Sequence, residues 1–313
     1  MKGPWMERRW AVVAVVWALL FCGGLPAESN AAILQAIRVE SQDAARAVVA
    51  ELRAGRSFDE LAREHASEGL RERAGYLGRV PEAALPSRMR QALSGLKEGQ
   101  ISQEIELDVG YVILRLLKPQ EESAYTTAAA SEKYYLDLGL MYGEMRYEDG
   151  EIEAYRKAIE MAPRLTEAFV NLGEALRGKA VRLMGTPVKS PPQTPSASEE
   201  VVNLLDEAID QFKIALSLDP SLAEAHWDLG LAYAAEGLLE LALVEFQETL
   251  RLRPADGEME RTLASVYFLT GDYDLAKAHA LKAKGMGAQV DSLMASIERQ
   301  MKEKAQPKGR KTR

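Results

Sequence analysis

In the second half of the chain apolar residues recur at helical spacing, and the whole pattern itself recurs. Tyr134-Tyr135-Leu136-Asp137-Leu138-Gly139-Leu140-Met141-Tyr142 is followed by Tyr155, Ala158 and Pro163. His226-Trp227-Asp228-Leu229-Gly230-Leu231-Ala232-Tyr233 is followed by Ala242, Phe246 and Pro254. Gly139 to Gly173, Pro220 to Pro254 and Tyr233 to Tyr267 all show the same interval. The period predicts about four helical hairpins. The first, from Glu132 to about Leu165, carries Tyr135, Leu138, Gly139, Tyr142, Tyr155, Ala158 and Pro163. The second begins at Thr166 with Phe169, Leu172 and Gly173, and resumes with Ala208, Phe212, Ala215 and Pro220. The third carries Leu229, Gly230, Tyr233, Ala242, Phe246 and Pro254. The fourth has Leu263, Ala264, Tyr267, Ala276 and Ala283, with Ala280 in the aromatic column and no closing proline. Small residues at Gly139, Gly173, Gly230 and Ala264 let paired helices approach. No single unit can bury its apolar face alone, so the units must stack. A last helix, about Val290–Lys304, is expected to cap the array. Pro163 to Pro220 is longer than the interval from Pro220 to Pro254, so the second unit carries an insertion. It falls at 184–199, where Pro187, Pro191, Pro192 and Pro195 among Ser and Thr predict a loop between two helices.

An aromatic residue, then Leu-Gly and Tyr, then Ala-aromatic-Ala and a closing Pro resembles the tetratricopeptide repeat. The resemblance implies an all-α solenoid over 131–287, a capping helix over 288–304 and protein or peptide partners. In the family's register the first helix of each pair lines a concave groove. That places Leu136, Leu140, Val170, Asn171, Glu174, Trp227, Leu231, Arg261 and Phe268 there. Trp227 beside Leu231 reads either as an interface anchor or as packing between repeats. The Lys and Asn set with which chaperone-binding repeats grip a C-terminal carboxylate is not evident.

The first half alternates differently. Ile33–Val39 suits a strand, and Gln42–Ala54 is helical, with Ala45, Val48, Val49 and Leu52 inward and Gly55 as the stop. Phe58–Ala66 and Ser87–Leu96 predict further helices. Ile101–Leu107 and Tyr111–Leu117 predict strands about a turn at Asp108-Val109-Gly110. Four segments carry a second resemblance: Ala54-Gly55-Arg56-Ser57-Phe58-Asp59-Glu60-Leu61-Ala62, Gly75-Tyr76-Leu77-Gly78, Leu96-Lys97-Glu98-Gly99-Gln100-Ile101-Ser102 and Val109-Gly110-Tyr111. Together they are similar to the parvulin family of prolyl isomerases, in a register without gaps from Ala36 to Leu114. An α+β parvulin-like domain over 31–119 is therefore expected, followed by a linker over 120–130 and the all-α solenoid.

The resemblance also specifies a site, and this chain departs from it. Parvulins lower a rotational barrier of ~18–20 kcal/mol about an X-Pro bond. They use an apolar proline pocket and a ring of hydrogen-bonding groups that includes two histidines. Ala36 stands at the first histidine position and Val112 at the one after Gly-Tyr. Glu68 takes the place of the family's Cys or Asp, and Leu85 and Met89 take those of its pocket Met and Phe. Loss of both imidazoles leaves an apolar cleft suited to an extended peptide, with weak catalysis or none. The alternative is that Ala36 and Val112 merely close the core. His65 is read as exposed and no replacement.

Composition and charge narrow the functions. Of 313 residues, 47% are hydrophobic and 27% charged, which suits two folded domains. A net charge of -8 argues against a nucleic-acid surface, and the basic tail within 305–313 reads as a solvated terminus. Lys2, Arg8 and Arg9 precede an apolar run from Trp10 to Cys22 and then Gly23-Gly24-Leu25-Pro26-Ala27. That pattern reads as a signal peptide over 1–27, whose apolar run is shorter than the ~20 apolar residues of a membrane span. Cleavage after Ala27, an uncleaved anchor and lipidation at Cys22 are its three readings, and only the last two attach the protein to a membrane. The expected location is a bacterial periplasm or cell envelope. Cys22 is the only cysteine, and His65, His226 and His279 have no ligand spacing, so neither metal nor cofactor is expected. Two function classes remain: an exported binding scaffold or folding helper with little catalysis, and an active envelope prolyl isomerase. A third reading keeps only the repeats as functional.

Overall fold

The computed structural model describes residues 31–127, 130–185, 197–254 and 256–305. The expected signal segment, the middle of the insertion and most of the basic tail lie outside these residues. The described chain forms two compact units, each with its own core.

The first unit is a four-stranded antiparallel sheet with short helices. Its elements are β1 (Ala31–Val39), α1 (Gln42–Arg53), α2 (Phe58–His65), α3 (Glu68–Glu72), β2 (Tyr76–Pro81), α4 (Ser87–Leu93), β3 (Ile105–Glu106), β4 (Tyr111–Leu116) and α5 (Ser123–Thr126). The strand order is β2-β1-β4-β3. Ser41 caps α1 by accepting the Ala44 N–H at 3.2 Å. Ile37, Val39 and Ile113 project from one face of the sheet into a core with Ala45, Val48, Val49, Phe58, Leu61 and Ala62 of α1 and α2. Leu34, Ala36, Val112 and Leu114 occupy the other face. The turn into β2 brings Gly75, at φ +72°, against Ala36: its carbonyl accepts the Ala36 N–H at 2.9 Å, and a Cβ there would strike the Ala36 oxygen.

Two expectations change here. The strand expected over Ile101–Leu107 is reduced to β3 and an isolated bridge at Ile101. Buried Ser102 is the cause: its hydroxyl accepts the Leu114 N–H at 2.9 Å, in place of a backbone carbonyl, and the register slips by one residue. The stretch expected as a linker begins folded. Tyr125 of α5 stacks on Tyr76 with centroids 5.5 Å apart and donates to Asp59 at 2.9 Å. Buried Gln35 donates to the same carboxylate at 3.0 Å and accepts from Arg115 at 3.1 Å, while Arg115 reaches Glu121 at 2.7 Å. Residues 119–126 are thus fastened to the sheet through a satisfied polar network.

The second unit is all helical. Its pairs are α6 (Glu132–Glu144) with α7 (Glu148–Met161), α8 (Thr166–Met184) with α9 (Ala197–Leu218), α10 (Ala223–Glu236) with α11 (Leu239–Leu252), and α12 (Gly257–Thr270) with α13 (Tyr273–Gly285). A last helix, α14 (Asp291–Ala305), packs on α13. One apolar cluster runs unbroken from Leu136 to Ile297, as stacked repeats require. The glycines of this column face their partner rings: a Cβ on Gly173 would lie 2.6 Å from Phe212, and one on Gly230 would lie 2.6 Å from Phe246. Gly139 meets Tyr155 in the same way. The insertion is more ordered at its ends than a loop. It lengthens α8 and α9, and Ala180, Val201 and Leu205 form a small core of their own with Leu183 and Leu204.

Candidate functional site

In the first unit the sheet itself sets the site. Ala36 lies opposite Leu114 and Val112 opposite Arg38, so Ala36 and Val112 share one face on adjacent strands. Neither side chain can donate or accept a hydrogen bond. The apolar side chains are closed in: Ala36 is 3% exposed, Val112 0%, Leu85 1% and Met89 0%. A prolyl ring seated among them would displace at least one. Glu68 opens α3 and is exposed, unlike the other four expected site residues. His65, the only histidine in this unit, is exposed at the end of α2. A depression of about 650 Å³ lies between the α1–α2 turn and residues 96–103, and none of the five expected site residues lines it. No cluster of three or more metal-ligating side chains occurs among the described residues.

In the second unit the expected groove residues divide. Leu136 and Val170 are buried in the continuous core. Leu140 is 47% exposed. Asn171, Trp227, Leu231, Arg261 and Phe268 are half-buried. Trp227 rests on Phe246 with centroids 5.0 Å apart and a 52° tilt, so part of its ring serves its own repeat. Phe268 contacts Tyr273 at 5.7 Å, and Arg261 donates to Glu258 at 2.7 Å. At these positions the array presents mainly half-covered aromatic and aliphatic side chains.

Acidic side chains within the array were not legible as a group. Asp228 is 4% exposed and accepts from Arg177 at 2.9 Å. Burial, then the charge of Asp228 and a hydrogen bond with it, push Glu174 up to about 8. Burial raises Asp228 as well, although Arg177 favours its charged form. Glu151 of α7 is pushed up to about 7 by burial and then by Glu148. For Glu151 and Glu174 the one sequence signal is a carboxylate standing in a column that is apolar or small in other repeats, whereas the column of Asp228 is polar throughout, with Asp137, Asn171 and Thr262.

An α+β domain with a parvulin topology, followed by stacked helical hairpins, defines the class. Residues 31–118 match the family model of the PPIC-type PPIASE domain. Residues 132–165 match a tetratricopeptide repeat model and residues 203–237 a TPR repeat model. The chain thus joins a parvulin-type domain to tetratricopeptide repeats. Among curated proteins it is 38% identical over 82 residues to the periplasmic chaperone PpiD of Escherichia coli K12, covering 26% of this chain and 13% of that one. It is 24% identical over 134 residues to the foldase protein PrsA of Clostridium tetani, covering 42% and 39%. Human TMTC1, a protein O-mannosyl-transferase, is 23% identical over 198 residues, covering 60% and 19%. The chain spans less than half the length of each of these relatives. Among solved structures, MamA superposes with a TM-score of 0.43 at 20% identity, covering 53% of this chain and 84% of that one. A thermophilic TPR protein of Thermus thermophilus gives 0.43 at 20%, covering 57% and 86%.

Proposed function

We propose that the protein is an exported binding scaffold or folding helper. In this reading the repeats and the degenerate parvulin-type domain hold client or partner polypeptides, with little isomerisation. One observation carries it: Ala36 and Val112, at the positions that the family resemblance assigns to the two histidines, are buried apolar side chains on one face of the sheet. Without the two imidazoles, the site loses polar groups that would stabilise a twisting amide. Leu85 and Met89 become a peptide-binding cleft only if a client opens it. Trp227, Leu231 and Phe268, half-buried on first helices, are the array's contact residues. The parvulin-type relatives are named a periplasmic chaperone and a foldase, and the basic and apolar start of the chain fits export to the same compartment.

The second reading is an active isomerase, favoured by the exposed carboxylate of Glu68. Isomerisation of short X-Pro peptides by the protein separates the two. A rate equal to the uncatalysed one is expected. A clear acceleration that Glu68→Gln abolishes would replace the scaffold by a working foldase.

A further inference from the structure

Beyond β4 the sheet of the first unit ends in an open edge. Residues 99–103 run antiparallel to β4: the Ser102 N–H donates to the Leu114 carbonyl at 2.8 Å, and the Leu116 N–H donates to the Gln100 carbonyl at 3.0 Å. These two bonds flank the bridge between Ile101 and Arg115, so that pair exchanges no hydrogen bonds of its own. The N–H and C=O of Ile101 therefore point away from β4, and neither has a partner among the described residues. Proline and charged side chains commonly guard such an edge against a further strand. Gly99-Gln100-Ile101-Ser102-Gln103 contains neither.

The depression of about 650 Å³ opens along this edge. Leu52, Phe58 and Leu96 give it apolar walls, and Arg53, Arg56 and Arg115 are the ionisable residues of its lining. Two of these cations are neutralised: Arg56 by Glu51 at 2.5 Å and by Glu64, and Arg115 by Glu121 at 2.7 Å and Asp59 at 3.5 Å. Arg53 is exposed, donates to Gln103 of the edge at 3.1 Å and forms no ion pair among the described residues. Of the flanking carboxylates, Glu104 pairs with Arg46 at 3.6 Å, and Glu98 is exposed outside the lining. An unused backbone donor and acceptor, room for side chains and an uncompensated cation are what strand addition needs for affinity and selection. We propose that residues 99–103 bind an extended acidic peptide as an added strand, with one of its carboxylates on Arg53. Alternate residues of a strand face the same side, so an apolar residue and an acidic one two places apart enter the depression together. A second copy of this chain does not fit, because two edges that each carry Arg53 would repel. The site is separate from the closed cleft and holds whichever reading of that cleft is right.

A labelled peptide, Thr-Val-Thr-Glu-Thr-Val-Thr-Glu-Thr, titrated with the full chain and followed by fluorescence anisotropy tests it, with amide hydrogen exchange to locate the contact. Binding should slow exchange at the Ile101 amide and weaken as salt is added. Arg53→Glu, at an exposed position, should weaken binding by about tenfold or more and favour the same peptide with lysines in place of its glutamates. The acidic peptide methylated on every backbone nitrogen keeps its charge but cannot donate to the edge, and it should bind at least about tenfold more weakly to the unaltered protein. Absence of binding, equal binding of the acidic and basic peptides, or indifference to methylation overturns the proposal. So does protection that appears only in the repeats, or an Ile101 amide already protected by self-association that sedimentation detects without peptide.

Discussion

At the residue scale the array shows how one column accommodates different chemistry. Counting back from the ring in each second helix, Glu151 occupies the column held elsewhere by Ala208, Ala242 and Ala276, all fully buried. It fits because Gly143 faces it: a Cβ there would lie 2.7 Å from a Glu151 oxygen. Burial raises this carboxyl to about 7, above its unfolded value, so the folded state binds the proton more tightly. The associated stability is fully present below the unfolded value and is lost as pH rises through 7. Glu151→Gln should therefore stabilise the protein at pH 8 by about 1 kcal/mol after allowing for solvent screening, with the gain shrinking towards pH 5. Urea unfolding at the two pH values measures it, and an equal gain at both would show that charge is not the cause. A second pair invites an exchange. His226 on α10 meets Glu245 on α11 at 2.7 Å, and one repeat later Glu260 on α12 meets His279 on α13 at 2.6 Å with the partners reversed. Replacing His226 by Glu should cost about 1 kcal/mol, and adding Glu245→His should restore most of it. Thermal unfolding of the single and double variants decides, and strict additivity would mean that the pair contributes nothing as a pair.

At the element scale the clearest sequence signal was size complementarity, because the period repeats the same contact. Gly173 and Gly230 each leave room for a phenylalanine ring, whereas in the fourth repeat Ala264 stands in the glycine column and Ala280 in the ring column. The two columns change size together. Gly230→Ala should cost ~1–3 kcal/mol by driving a methyl into Phe246, despite the better helix propensity of alanine. Gly230→Ala with Phe246→Leu should recover part of that loss in the same denaturation series. Other elements were harder to see for identifiable reasons. Strand β2 carries Gly78, Arg79 and Pro81, which mask its alternation, and its place is fixed by pairing with β1 rather than by local preference. The shortening of β3 depends on one hydroxyl, that of Ser102, taking over a ladder bond. Gly237 and Gly271, at φ +81° and +85°, close the first helices of the third and fourth repeats at equivalent positions. Left-handed glycine caps of this kind mark where each hairpin turns, a signal weaker in the sequence than the aromatic columns. The long α8 and α9 extend into the insertion because Ala180, Val201 and Leu205 give the extra turns something to bury, while the prolines lie between them. For the candidate site, sequence placed Ala36 and Val112 at the family positions, but only the sheet register puts them on one face.

At the scale of the whole molecule two folded units share one chain, and the stretch between them is shorter than its composition suggested. With residues 119–126 fastened to the first unit through Tyr125, Glu121 and Glu122, little more than residues 127–131 remain before α6. A client long enough to engage both modules would then bind the second at a high effective concentration, without any new contact. An unfolded client titrated against the full chain, and against separate proteins covering 31–127 and 130–305, should show affinity for the full chain at least ~10-fold above either part. Tyr125→Phe removes the hydrogen bond to Asp59 while keeping the stack on Tyr76. If the ordered junction contributes, that variant should lose part of the gain while each separated module keeps its own affinity. Equal affinities for the full chain and the stronger part would instead assign all the binding to one module. The array, with its continuous core and half-covered aromatic residues, would then be the module to examine, and the parvulin-type domain would remain a folded companion with a closed site.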